Sequence, residues 1–402
     1  MMNLTSNEPF WLIKNGLLES YPSIKTDMDT DILVVSAGIT GSLMAHKCMS
    51  NNYRTMVIDR RDVANGSTSA TTSMLQYEID VPLFKLTQRI GKSAAEANYW
   101  ACYNAIDTLH DIVKSIGSDC GFKKKESLYF AASEADVADL KTEFSARQAC
   151  GLPVTWLSAE DIQKKYKLKQ TFGGILSKQG GSLDAFKLTH DLLKYNAARG
   201  LDIFDKTEIV SVEQSANGVT INTNYGCSIS AKKIIYCNGY ESTELIADNF
   251  VKLLSTYAII GEQQDDDQPY LNDTLFWNTA EPYLYMRTTD DNRVLIGGED
   301  EDFVNPDKRD ALLHEKSIML KTKLNTLLPH YKFRTDFAWA GTFGETKDGL
   351  PYIGEHPDFK HSYFVLGFGG NGITFSVIGA AVISDMLAGK THPLQSYFKF
   401  RR

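Results

Sequence analysis

No C-x-x-C pair occurs among the six cysteines of the 402-residue chain, Cys48, Cys102, Cys120, Cys150, Cys227 and Cys237. No disulfide framework and no metal site is therefore expected, and reduced thiols in a cytoplasmic protein are the simple reading. No internal repeat or low-complexity tract is present, which excludes solenoids and disordered linkers. No basic patch stands out: 42 Lys and Arg lie scattered against 50 Asp and Glu, for a net charge of −8, so no nucleic-acid partner is expected. The first residues lack a basic region followed by an apolar run, so no signal peptide is predicted. One uncharged stretch, residues 363–384, is long enough to span a bilayer. Its five glycines, with Asn371, Thr374 and two serines, fit a buried strand, a glycine turn and a buried helix better, and no membrane span is expected.

What is present is ordinary globular composition, 43% apolar and 23% charged, with length for about two to three domains. D-I-L-V-V (31–35) reads as a strand buried on both faces. S-A-G-I-T-G follows at once, then a helix, then a second buried strand, T-M-V-I-D (55–59). This is a βαβ unit. Helices are predicted over 83–117, 134–149, 183–200 and 307–328, and at the C-terminal end to about 388. Strand-like runs fall at 127–131 and 201–204. Asn217-Gly218 turns a hairpin between 208–213 and V-T-I-N-T, and 232–239 is another buried strand. Alternation over 251–300 predicts an antiparallel sheet. The fold class is α/β in the dinucleotide-binding part and α+β overall.

The first βα turn carries the sharpest chemistry. Free N–H groups and the dipole at a helix start hold a pyrophosphate, and glycines let the backbone approach it. The pattern G-x-G-x-x-G appears as Ser36, Ala37, Gly38, Ile39, Thr40 and Gly41, with serine at the first glycine position. Asp59, eighteen residues after Gly41, stands where an acid accepts ribose hydroxyls. Dinucleotide binding is the expectation. G-S-T-S-A-T-T (66–72) follows, either a second set of pyrophosphate donors or a solvated loop.

The segment D-R-R-D-V-A-N-G-S-T-S-A-T-T-S-M-L-Q-Y-E resembles the FAD-dependent D-amino-acid oxidase superfamily. It is most similar to the branch of glycine, sarcosine and γ-glutamylputrescine oxidases. I-I-Y-C-N-G-Y, P-Y-L-Y-M-R-T, T-K-D-G-L-P-Y-I-G and G-F-G-G-N-G-I-T fit that branch in order. The resemblance implies a discontinuous Rossmann-like FAD-binding domain from 1–85, 150–245 and 335–402. A substrate domain with an antiparallel sheet would come from 86–149 and 246–334. It implies non-covalent FAD held by residues 36–41, Asp59, Arg60, Ser67, Thr68, Ser69 and Thr72, with Val210 flanking the adenine. Asn238 and Gly239 would close a third contact turn. Gly370, Asn371, Gly372, Ile373 and Thr374 would meet the flavin edge, unless that turn only packs.

The implied chemistry is two-electron oxidation of a C–N bond of an amine or amino acid, with hydride passing to flavin N5 and an imine left to hydrolyse. No side-chain base is assigned. The arginine that holds the substrate carboxylate in glycine oxidases falls here at Phe343. Arg287 is the candidate replacement, or else an ordinary structural salt bridge; alternatively the substrate has no carboxylate beside its amine. Tyr77, Tyr257 and Tyr285 are candidate pocket residues. Two other readings stay open: oxidation of a 2-hydroxy acid, which calls for a histidine base, and a degenerate non-catalytic protein, prompted by Ser36 and Phe343. Substrate, electron acceptor and oligomeric state are not legible.

Overall fold

The computed structural model describes residues 2–264 and 269–402. Its first sheet has a parallel centre in the order Phe359–Leu366, Ser228–Tyr236, Met28–Val35, Thr55–Ile58, Asp202–Phe204. Ile32, Val34 and Val57 face one side, packed against the helices Ile39–Ser50, Lys92–Ile116, Ala185–Ala197 and Gly372–Leu387. Leu33, Met56 and Phe364 face the other, under Ile246, Phe250 and Phe400. Burial on both faces is why these strands read as unbroken apolar runs.

The strand Ser228–Tyr236 divides one of its edges between two partners. Its first half pairs antiparallel with the hairpin strand Val219–Thr223 (Val219↔Ala231). Its second half pairs parallel with Phe359–Leu366 (Tyr236↔Phe364).

The second sheet runs Thr335–Glu345, Lys252–Gly261, Val294–Glu301, Leu284–Thr288, Thr274–Asn278, Glu126–Phe130, Gly174–Ser177, Val154–Leu157. All neighbours are antiparallel except Thr274–Asn278 with Glu126–Phe130. Residues 265–268 of the expected sheet lie outside the described residues. Leu320 and Leu324 of the helix Leu313–Leu327 cover one face, over Tyr257, Ile259 and Ile296. The other face presents Ala258, Leu295 and Trp339 to Phe10, Trp11 and Phe186.

Membership of this sheet departs from the expected segment boundaries in three places. Val154–Leu157, Gly174–Ser177 and Thr335–Glu345 all belong to it. Thr335–Glu345 pairs with Lys252–Gly261 along its whole length, from Lys252↔Glu345 to Gly261↔Thr335. The uncharged stretch 363–384 divides between a strand and the start of the last helix. No helix among the described residues is long and apolar enough to cross a membrane.

Candidate active site

The first turn is built around Asp59. Its carboxylate accepts from Ala37 N (2.7 Å), Arg61 N (2.8 Å) and Ser36 Oγ (3.2 Å). Burial pushes the carboxyl above its ordinary range, against those backbone bonds and the charge of Arg61. Ser36 has φ of 88°, a conformation that favours glycine. A Cβ at Gly41 would lie 1.8 Å from Ser36 O, so only glycine lets the helix close on the turn. Thr68 Oγ1 accepts from Ile39 N (3.0 Å), and the first helical return bond is Ser42 N to Gly38 O (2.9 Å). The amides of Thr40 and Gly41 have no acceptor among the described residues, and they face an anion site of the kind a helix start provides. Thr40 Oγ1 also meets Ser376 Oγ at 2.8 Å, which locks this helix start beside that of Gly372–Leu387.

The hydroxyl-rich loop is held from behind by three side chains. Trp339 Nε1 donates to Ala70 O (2.8 Å), Trp11 Nε1 to Thr71 O (2.6 Å) and Arg287 Nε to Thr72 O (2.7 Å). Between this loop, the first turn, the 237–241 turn and the 367–373 turn lies a cavity of about 1500 Å³ with its open mouth. Ser36, Gly38, Ile39, Thr40, Asp59, Ser67, Thr68, Thr72, Asn238, Gly239, Gly370, Gly372 and Ile373 line it, as do Tyr285 and Phe343. Asn238 Oδ1 is buried there without a hydrogen-bond partner, an acceptor left for a ligand.

Beyond the glycine turn the cavity ends against aromatic side chains: Tyr240, Tyr283, Tyr285 and Phe343. Asp80 reaches the same region and accepts from Gly370 N (2.9 Å). It is open to solvent at one side but walled by protein, and burial, with Glu345 and Asp300 nearby, lifts its pKa to about 6. Asp300 lies beside the cavity-lining Thr256, and burial lifts it likewise to about 6.

Several expected residues sit elsewhere. Arg287 is 2% exposed and does not line the cavity; its remaining bonds go to Leu183 O (3.1 Å) and Thr288 O (3.3 Å). Alternation puts it on the face of Tyr283 and Tyr285, but it lies two residues further along, under the Thr72 carbonyl. It is a clamp on backbone carbonyls, not on a substrate. Tyr77 is buried outside the cavity, against Arg147, which bridges Glu143 and Glu78. Tyr257 contributes to the wall, but its ring packs on the helix side of the sheet, where Lys316 Nζ is 5.6 Å from the ring centre. Val210 is 68% exposed, because a bulge between Ile209 and Ser211 leaves it unpaired on the hairpin. Arg60 faces Glu208, Glu241 and Glu244, while its neighbour Arg61 lines the cavity and pairs with Glu241.

The other residues away from the lining shape the turns. Ala37 gives its N–H to Asp59, Ser69 Oγ donates to Gly66 O (2.8 Å), Asn371 Nδ2 to Gln76 O (2.9 Å) and Thr374 Oγ1 to Asn371 O (2.8 Å). Tyr283, Trp339 and Gly341 were within reach of the sequence, since each is an even number of residues from Tyr285 or Phe343 on its strand. Nothing in the sequence marked Asp80.

A family model described as FAD dependent oxidoreductase, DAO, matches residues 31–386, and the chain belongs to that family. It is an enzyme, an oxidoreductase whose cofactor is FAD. It is 23% identical to the glycine oxidase of Geobacillus kaustophilus, over 90% of this chain and 93% of that protein. It is 27% identical to the glycine oxidase of Bacillus subtilis, over the same shares. Among solved structures it resembles the G. kaustophilus glycine oxidase (TM-score 0.78, 20% identity, 93% of this chain and 99% of that one). L-proline dehydrogenase from P. horikoshii is similar (TM-score 0.78, 17% identity, 93% and 97%). At these identities the structures bear on the fold alone.

Proposed function

We propose that this enzyme oxidises the C–N bond of an amine, with FAD held non-covalently from the Gly38 turn to the 367–373 turn. Bound there, FAD supplies a two-electron acceptor for the hydride on the carbon beside the substrate nitrogen; the resulting imine hydrolyses in water. Asp59 accepts the ribose hydroxyls, and the free amides of Thr40 and Gly41 face the pyrophosphate. Ser67, Thr68 and Thr72 lie along the ribityl side. Gly370, Gly372 and Ile373 offer backbone N–H groups to the flavin edge, at a helix start that favours negative charge. In this division the first sheet and its helices form the FAD domain, and the second sheet forms the substrate domain.

The observation that carries the reading is the wall beyond the glycine turn. Tyr240, Tyr283, Tyr285 and Phe343 make it aromatic, and no lysine, arginine or histidine lines it among the described residues. Such a wall excludes water and favours the neutral, reactive amine. A hydroxy acid would call for a base, and none of the eight histidines lines the cavity. The kinship with glycine oxidases supports an amino compound. The test is anaerobic mixing of the FAD-loaded enzyme with amines, amino acids and 2-hydroxy acids. Bleaching of the oxidised-flavin bands by an amino compound is the expected result; bleaching by a hydroxy acid alone would sink the reading.

A further inference from the structure

We infer that the substrate amine carries a second positive charge, making it a di- or polyamine rather than an amino acid, with its distal ammonium held at the aromatic end of the cavity by Asp80, Asp300 and Glu345. This rests on the amine reading above.

Most buried acids of this protein have a cation. Glu78 and Glu143 share Arg147, Glu299 meets Lys323, and Glu301 meets Lys316 (2.5 Å). Asp80, Asp300 and Glu345 form no ion pair with a described residue. Asp300 Oδ1 is buried with no hydrogen-bond partner at all.

Its placement is specific. Gly298 (φ 135°) and Glu299 (φ 60°) form a bulge where Val294–Glu301 slips against Lys252–Gly261. A bulge re-aims the side chains that follow it. Glu299 and Glu301 turn to the lysines of the helix Leu313–Leu327, and Asp300 between them turns to Thr256 on the cavity side. Glu345 follows Phe343 by two residues on one strand, so the two share a face. Asp80 is anchored on Gly370 N at the opposite side of the same end. Each of the three raises the pKa of at least one of the others, so they lie close enough to repel.

A substrate carboxylate would enter against three unpaired acids and Phe343. An ammonium would relieve that repulsion and lie among four aromatic side chains, whose faces attract cations. Unpaired acids and an aromatic wall point independently to the same ligand charge.

The test uses the FAD-loaded enzyme under anaerobic conditions, with short α,ω-diaminoalkanes, n-alkylamines of matched length, and glycine and alanine. Diamines should reduce the flavin with an apparent Kd at least about tenfold below that of the matched monoamine, the effect of one close charge pair. That ratio should shrink about tenfold in Asp300→Asn and in Glu345→Gln, and with rising salt in the unmodified enzyme. The exposed Glu345 and the salt series keep the test decisive if Asp300→Asn does not fold. Monoamines equal to diamines, or reduction by amino acids alone, would overturn the dication and leave amino-compound oxidation standing. Reduction by none of the three groups would overturn both.

Discussion

Replacing Ser36 by glycine should leave stability nearly unchanged and tighten FAD binding. At φ of 88° a residue with a Cβ is strained by about 1–2 kcal/mol, which glycine releases. Against this stands the loss of Ser36 Oγ to Asp59, worth about 1 kcal/mol at 3.2 Å because Asp59 keeps Ala37 N and Arg61 N. Glycine also frees the unfolded chain by about 0.5–1 kcal/mol. The sum lies within about 1 kcal/mol of zero, so Tm should move by less than about 3 °C. FAD affinity behaves differently, because Asp59 regains an acceptor for a ribose hydroxyl. A gain of about 1.4 kcal/mol lowers Kd about tenfold, read from the quenching of flavin fluorescence on titration into apoprotein. Ser36→Ala is the control: it keeps the strain and loses the bond, so it should lose about 1 kcal/mol of stability while gaining FAD affinity. A large drop in Tm for Ser36→Gly, or weaker FAD binding in both variants, would refute this account of the turn.

Two further outcomes follow from the same geometry. Arg287→Met should lower stability by about 3–5 kcal/mol in thermal unfolding, since it strips donors from three buried carbonyls, and should loosen FAD through the 70–72 loop; a selective rise in KM for carboxylate-bearing substrates, with Tm unchanged, would contradict the clamp. Asp300 has a folded pKa of about 6 against 3.8, so between those values the folded state binds more protons and stability falls as pH rises. Asp300→Asn should abolish that slope and stabilise the protein at pH 7 by of the order of 1–3 kcal/mol, as measured by denaturant titration at pH values across the window.

The βαβ unit was legible because its strands are buried on both faces and its glycines, acid and helix fall at family spacing. The conformation of Ser36 was not, since the sequence shows a substituted glycine but not whether the turn relaxes around it. Arg61 and Arg60 are adjacent arginines, and only the path of the turn decides which faces the cavity. Val210 was misplaced by one bulge and Asp300 overlooked because of another; in both cases a single extra residue inverts the alternation on which strand reasoning depends. Arg287 showed the limit of charge as a signal. An arginine in a substrate-domain strand suggests a carboxylate partner, yet its partners are carbonyls, which carry no signature in sequence. The short strands Val154–Leu157 and Gly174–Ser177 lie in a stretch without clear periodicity, so the second sheet is wider than alternation alone foretold.

The divided edge of Ser228–Tyr236 has a consequence during synthesis. The hairpin can cover the first half of that edge as soon as it is made, because Val219–Thr223 precedes it in the chain. The second half waits for Ser362, Tyr363 and Phe364. At about 5–20 residues per second the ribosome takes roughly 6–25 s to reach them, while Ile234, Ile235 and Tyr236 present an open apolar edge of the kind that recruits foreign strands. The glycine turn at 367–373 emerges later still. A nascent chain therefore cannot be rescued by FAD during the interval when it is most exposed, and its safe passage falls to chaperones rather than to the cofactor.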